Sequence, residues 1–163
     1  MAKTQSKVKP IPEGARSLTP HIVCANAAKA IDFYVEAFGA VEQFRLADPS
    51  GKLAHACVRI GDCELMLVDE YPERGVLGPR AIGGTAVTIH HFVEDVDAVV
   101  ERAEKAGATV RLAPTEMFWG DRYAQLEDPF GHSWSVATHV RDVDPSELPR
   151  AMETAGECGE VAG

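Results

Sequence analysis

The chain has 163 residues, 45% of them hydrophobic, which is enough apolar side chain to bury the core of one globular domain. Acidic residues outnumber basic ones by 25 to 16, which gives a formal net charge of −9 at pH 7. Because this charge repels a phosphate backbone and an anionic lipid surface, we expect neither a nucleic acid nor a membrane to be a partner.

The first sixteen residues are polar and carry four basic side chains with no apolar stretch behind them. This polar composition predicts a flexible N-terminal arm over 1–16. A secretory signal needs an apolar stretch, so we expect a cytoplasmic location. The cysteines form no CxxC pair, and in a cytoplasmic chain we expect them to be buried free thiols. They are Cys24, Cys57, Cys63 and Cys158.

The folded domain is predicted to begin with a short β-like run that ends at Asn26. The side-chain oxygen of Asn26 can accept from the first free N–H groups of a helix, so a helix is expected to start there. Gly39 is expected to end this helix, because glycine readily adopts the left-handed conformation. Between them, apolar residues recur at helical spacing: Ala27, Ala30, Ile31, Tyr34 and Phe38. Three β-like runs follow, over 40–46, 53–60 and 63–69.

A loop rich in glycine and proline, over 70–85, separates this half from a second half that repeats it. "TPHIVCANAAKAIDF" from Thr19 aligns without a gap with "TIHHFVEDVDAVVER" from Thr88, 69 residues further on. An acidic residue, Asp95, stands where the first half has its capping asparagine, and Gly107 again ends the helical spacing. The apolar helix positions are Val96, Val99, Val100, Ala103 and Ala106. Three further β-like runs cover 108–114, 122–128 and 132–140.

The repeated β-α-β-β-β pattern predicts an α+β fold of two modules, over 17–70 and 84–140, within a single domain over 17–140. Each module alone would leave one sheet face uncovered, so we expect the two sheets to pair into a cup. A single ferredoxin-like domain with extra strands is the alternative arrangement. The last segment, 141–163, has six acidic residues and no sustained periodicity. It is predicted to be an acidic tail, flexible or packed on a partner.

Three segments resemble the vicinal oxygen chelate superfamily, which includes glyoxalase I, the bleomycin-resistance proteins and the extradiol dioxygenases. "KAIDFYVEAFGA" resembles its first helix and "FVEDVDAVVERAEKAGATV" its second, and "WGDRYAQLEDPFGHSWSVATHV" is similar to the closing hairpin of the PhnB-like branch. The resemblance implies the glyoxalase/bleomycin-resistance fold, a small-molecule ligand and a homodimer. It leaves open whether the modules pair within one chain or swap between two.

The metal enzymes of this superfamily hold their ion with histidine, glutamate or glutamine side chains from the first and last strands of each module. The resemblance places these positions at Thr19, Thr88 and Ser135, and at Leu65 or Met66. Hydroxyl and apolar groups do not supply the nitrogen and oxygen donors of a usual transition-metal site. We therefore expect no metal ion at the superfamily's usual position.

Two neighbouring histidines, His90 and His91, raise the question of which one faces the cup. Successive side chains of a strand point to opposite faces, so only one of them can. His90 is predicted to face the cup, and His91 to pack beneath the helices with its ring nitrogens hydrogen-bonded. The predicted ligand-binding residues, on the floor and rim of the cup, are Thr19, His21, Thr88, His90, Phe92, Trp119 and Tyr123.

Five further polar and aromatic residues are expected to have structural roles. His55 and His132 are expected to make structural hydrogen bonds, and Trp134 to lie in the core. Asp121 and Arg122 are expected to pair with each other at the rim.

Two functions of different class remain open, since the chain has no nucleophile elbow, P-loop or dinucleotide fingerprint. The favoured one is a metal-free, cofactor-free protein that binds a small organic molecule, as in the bleomycin-resistance branch. The alternative is a metal-dependent lyase, isomerase or dioxygenase that acts on vicinal oxygens. In that case His21, His90 and Glu64 would hold a divalent metal ion.

Overall fold

The computed structural model describes the backbone of residues 8–157 and the side chains of residues 8–155. Part of the predicted N-terminal arm, the end of the predicted tail and Cys158 lie outside these residues. No helix within 8–157 is both long and apolar enough to cross a membrane.

The first module contains one helix and a four-stranded mixed sheet. In chain order its elements are β1 (His21–Cys24), α1 (Ala27–Phe38), β2 (Val41–Ala47), β3 (Leu53–Ile60) and β4 (Cys63–Asp69). The strand order is β1-β4-β3-β2, with β1 parallel to β4 and the other pairs antiparallel. The loop that follows is not fully irregular, because it holds a 3₁₀ turn (Pro72–Arg74) and a short helix, α2 (Pro79–Ile82).

The second module repeats the first element by element. It consists of β5 (Thr88–Phe92), α3 (Val96–Lys105), β6 (Thr109–Glu116), β7 (Asp121–Glu127) and β8 (Ser133–His139). Its strand order, β5-β8-β7-β6, and its strand directions match those of the first sheet. The two-module prediction is therefore confirmed, and the ferredoxin-like alternative is wrong.

The two long helices begin at equivalent capping residues. The Asn26 side chain accepts from the backbone N–H of Lys29 at 3.0 Å, and the Asp95 side chain accepts from that of Ala98 at 3.0 Å. Each cap satisfies an N–H group that has no partner within its helix. Gly39 ends α1 in the left-handed conformation, with φ 66°. The repeat read from the sequence therefore starts each helix at the predicted residue.

The two modules share one hydrophobic core. Helix α1 packs on the first sheet, α3 packs on the second, and the two helices pack on each other. The indole of Trp134, 2% exposed, lies in this core as predicted, with its ring 4.7 Å from that of Phe38 and 5.4 Å from that of Tyr34. Aromatic side chains of α1 thus reach across to a strand of the other module.

A buried carboxylate also joins the modules. Asp128, 1% exposed, accepts hydrogen bonds from the hydroxyl of Tyr34 at 2.6 Å and the indole Nε1 of Trp134 at 3.0 Å. It also accepts from the backbone N–H groups of Phe130 and His132, both at 2.9 Å. Burial, followed by the nearby Asp128 charge, raises the pKa of Tyr34 well above its ordinary value, so its hydroxyl stays a donor.

His132 makes a second bond between the modules, and this confirms its structural interpretation. Its Nε2 atom lies 3.0 Å from the backbone carbonyl oxygen of Val23, to which it donates. Cys24 and Cys57 are buried, as expected of structural thiols. Cys63 is exposed, so that prediction is wrong for this residue, which begins β4 directly after the turn at Gly61.

The chain that follows β8 is anchored at Gly120. The carbonyl oxygen of this glycine accepts from the backbone N–H groups of Val140 at 3.0 Å and Arg141 at 3.1 Å. A fourth helix, α4 (Leu148–Glu157), then forms within the segment that was predicted to be an acidic tail, flexible or packed on a partner. Its Pro149 lies in the first turn, where a helix tolerates a missing N–H group.

Candidate functional site

Each sheet carries its helix on one side and leaves the other side open to solvent. We call these two surfaces the open faces of modules one and two. On β5 the exposure alternates, so Thr88, His90 and Phe92 are exposed, whereas Ile89 and His91 turn towards the helices. The predicted face assignment of the two histidines agrees with this alternation.

The open face of module two gathers aromatic and polar side chains. The His90 ring lies edge-on to Phe92, with centroids 4.4 Å apart, and nearly parallel to Tyr123, with centroids 6.2 Å apart. Trp119 contacts Tyr123 edge-on, with centroids 5.6 Å apart. At the start of β5, the Thr88 hydroxyl lies 3.1 Å from that of Ser133. Five of the seven predicted ligand-binding residues thus lie on or beside this one surface.

Two residues of this face, Ser135 and Gln125, are missing from the predicted ligand-binding set. The Nδ1 atom of His90 lies 2.7 Å from the Ser135 hydroxyl oxygen, which fixes the imidazole in place. The Gln125 amide donates to the hydroxyl of Tyr123 at 3.2 Å. Alternation along β7 places Gln125 on the face of Tyr123, and this signal was available in the sequence.

The other two predicted residues, Thr19 and His21, belong to module one. Thr19 precedes β1, and the ring of His21 packs on that of His55 with centroids 5.5 Å apart. Burial, and then the neighbouring His55, lower the pKa of His21. The ring of His55 packs on His21 and Phe44, and its side chain makes no hydrogen bond to any described residue, contrary to expectation.

The residues at the superfamily's usual metal positions do not fit a transition-metal ion. On module two, Thr88 and Ser135 offer only hydroxyl groups. On module one, Leu65 is buried, and Met66 lies beside His21 on the neighbouring strand and offers only a thioether. Among the side chains of residues 8–155, no three from histidine, cysteine, aspartate or glutamate come close enough to hold one ion. Glu64 and His90 line one crevice and His21 lines another, so the alternative trio is not assembled within one chain.

His91 lies beneath the helices, with its ring centroid 5.5 Å from that of Phe38. Burial, and then the neighbouring His90, lower its pKa, which favours the neutral ring. The expectation that both ring nitrogens are hydrogen-bonded is wrong, because the buried Nδ1 atom has no partner among the described residues. The ring of Phe38 offers it neither a donor nor an acceptor.

At the rim, Asp121 holds the side chain of Trp119. Its buried carboxylate accepts from the indole Nε1 at 3.0 Å and from the Nδ1 atom of His139 at 2.8 Å. Arg122 instead makes two hydrogen bonds of 2.7 Å to Asp97, so the predicted Asp121–Arg122 pair is wrong. Because they are consecutive on β7, their side chains point to opposite faces.

His139 is expected to make stability depend on pH. Its Nδ1 atom faces Asp121 and its Nε2 atom faces Asp142 at 3.1 Å, so both contacts require the doubly protonated imidazolium. These two hydrogen bonds, that of Asp121 first, raise the pKa of His139 above its ordinary value of about 6.5. The stabilisation is fully present below that value and is lost as the pH rises through the folded-state pKa.

The measurement is the free energy of unfolding of the wild type and of His139→Gln between pH 5 and 9. We expect the advantage of the wild type to shrink as the pH rises. His21→Gln is the matched control, since the lowered pKa of His21 makes its advantage shrink as the pH falls. An advantage at His139 that grows with pH would contradict the assignment.

The sequence profile of the Glyoxalase/Bleomycin resistance protein/Dioxygenase superfamily matches residues 17–136. The chain is 49% identical over 144 residues to the uncharacterized protein Mb0911c of Mycobacterium bovis. The aligned residues make up 86% of this chain and 95% of that protein.

Two solved structures resemble its fold. TnmS3, an antibiotic binding protein from Streptomyces sp. CB03234, gives a TM-score of 0.57 at 22% identity and covers 83% of this chain and 99% of that chain. A PhnB protein from Bacillus cereus gives a TM-score of 0.59 at 15% identity and covers 76% of this chain and 99% of that chain. At these identities, the likeness is one of fold.

Proposed function

Because the chain belongs to the glyoxalase/bleomycin resistance protein/dioxygenase superfamily, we propose that it binds a small organic molecule on the open face of module two without a metal ion. The observation that carries this proposal is the grouping of His90, Phe92, Tyr123 and Trp119 on one exposed surface. Aromatic rings offer a flat ligand a large contact area, and a few fixed polar groups orient it.

The polar groups of this surface are held in place before any ligand arrives. Ser135 fixes the ring of His90, and Asp121 fixes that of Trp119. Such preorganisation lowers the entropy that binding would otherwise cost. The proposal is supported by TnmS3, which has the same fold and is an antibiotic binding protein. Within the superfamily we propose that the chain belongs to the PhnB-like branch, because its "WGDRY" and "DPFGH" segments resemble the closing hairpin of that branch.

A second copy of the chain is proposed to cover the open faces. Phe44 and Leu46 on module one are 49% and 60% exposed, and Phe92 on module two is 63% exposed. Phe44 and Leu46 are neighbours on one face of β2, and exposed apolar patches are typical of surfaces that another protein covers. A twofold dimer would place an open face of each copy against the other and enclose the ligand between them. A cytoplasmic location remains a prediction from the sequence.

Replacing His90 by alanine tests the binding face. This change removes a group that orients the ligand, so we expect the binding free energy to weaken by about 1–3 kcal/mol. His91→Ala is the matched control, because this residue lies on the opposite side of β5. It should lower stability and leave affinity nearly unchanged. The measurement is the ligand-induced shift in melting temperature across a panel of planar aromatic compounds.

The opposite pattern, with binding lost in His91→Ala and kept in His90→Ala, would overturn the face assignment. Metal analysis of protein purified without a chelator or a histidine tag tests the other half of the proposal. A stoichiometric divalent ion, lost on replacing His21, His90 or Glu64, would favour the metal-dependent lyase, isomerase or dioxygenase instead.

A further inference from the structure

A crevice of about 320 Å³ lies where the two modules meet, beside the edge strand β5. Its walls are mainly apolar, with Ile60 and Leu65 from module one and Ile89 and Trp134 from module two. Ligand pockets span roughly 300–1,000 Å³, so this crevice suits a molecule of one ring and a short chain. It adjoins the open face of module two and shares His90 and Phe92 with it, whereas Tyr123 and Trp119 do not line it.

Glu64 brings a half-buried carboxylate to this crevice from β4. In the part of the chain that the structure describes, this carboxylate makes no hydrogen bond and no ion pair. Arg59 lies opposite Glu64 on β3, but its guanidinium does not reach ion-pair distance. A partly desolvated carboxylate without a partner favours a cation or a hydrogen-bond donor beside it.

His90 faces the same crevice from the other module. Its Nδ1 atom is engaged with the Ser135 hydroxyl, and its Nε2 atom makes no hydrogen bond to any residue that the structure describes. When Nδ1 carries the proton and donates to Ser135, Nε2 presents a lone pair that accepts. Two acceptors, one from each module, therefore border a space with apolar walls.

We propose that this crevice binds a small primary amine with an apolar ring. The ammonium group donates to the Glu64 carboxylate and to Nε2 of His90, and the ring packs against Ile60 and Ile89. The net charge of −9 raises the local concentration of cations around the protein. Both proposals use His90, but the amine site adds Glu64 and the apolar walls of the crevice and needs neither Tyr123 nor Trp119, so each can fail without the other.

Calorimetric titration of the full chain with 2-phenylethylamine at pH 7.5, and with the neutral 2-phenylethanol, tests the proposal. The amine should bind more tightly than the alcohol. Glu64→Gln keeps the shape of the side chain and removes its charge, so amine affinity should fall about tenfold or more and the preference over the alcohol should disappear. Glu36→Gln changes the net charge equally at an exposed position of α1 outside the crevice and should leave affinity unchanged.

Tyr123→Ala separates the crevice from the open face. This change should leave amine binding intact, even where it abolishes binding of the planar aromatic panel. Three results would overturn the proposal: no binding of the amine to the wild type, equal binding by Glu64→Gln, or loss of amine binding in Tyr123→Ala. The last of these would place the amine on the open face and would support the function proposed above.

Discussion

Replacing Asp128 by alanine is expected to lower the free energy of unfolding by about 3–5 kcal/mol. The carboxylate is 1% exposed and accepts four hydrogen bonds, two from side chains and two from backbone N–H groups. Without it, buried donors of both modules would lose their partner and would be shielded from water. Urea unfolding, followed by circular dichroism, measures the change.

Tyr34→Phe is the control for this prediction. It removes one of the four donors and leaves the carboxylate with three, so a loss of about 1–2 kcal/mol is expected. The double variant should lose less stability than the sum of the two single-variant losses, because phenylalanine leaves no unpaired hydroxyl beside the alanine. An Asp128→Ala loss no larger than that of Tyr34→Phe would show that the carboxylate does not hold the modules together.

Replacing Gly120 by alanine is expected to cost about 3–5 kcal/mol of stability. Gly120 has a φ of +102°, a conformation that side-chain-bearing residues rarely adopt, and an added Cβ atom would lie 2.1 Å from the carbonyl oxygen of Arg141. The chain after β8 would have to move away. Hydrogen exchange of the Val140 and Arg141 amides, which donate to the Gly120 carbonyl, should therefore accelerate more than exchange elsewhere.

Gly51→Ala provides the matched control. Gly51 has a similar φ of +89°, but an added Cβ atom would meet nothing within 4 Å. It should therefore cost only the conformational strain, about 1–2 kcal/mol. If the two variants lose equal stability, the contact with Arg141 contributes nothing, and the anchoring of the chain after β8 must be explained otherwise.

The fold followed from the sequence because its signals are local. Helix caps at Asn26 and Asp95, the glycine after α1 and the alternation of the strands each involve residues within a few positions of one another. Helix α4 is as long as α3, but its segment contains a proline and a glycine, which disfavour helices, so the acidic segment was interpreted as a tail.

The site was only partly predictable, because its contacts join residues distant in the chain. The repeat makes His21 and His90 equivalent, and equivalence was taken for proximity. In the structure they lie on two different sheets. Distance along the chain also explains two incorrect predictions. Asp97, the partner of Arg122, and Phe38, the neighbour of His91, are each far in sequence from the residue that they contact. Alternation gives the direction of a side chain but not what it meets.

The two modules have similar backbones but contribute unequal side-chain volume to the shared core. Helix α1 supplies the large rings of Phe33, Tyr34 and Phe38, whereas α3 supplies only valine and alanine to the same interior. Two copies of the first module would bring too much side-chain volume to the centre, and two copies of the second would leave it hollow. The two modules are therefore complementary in side-chain volume and not interchangeable, although they share one strand order.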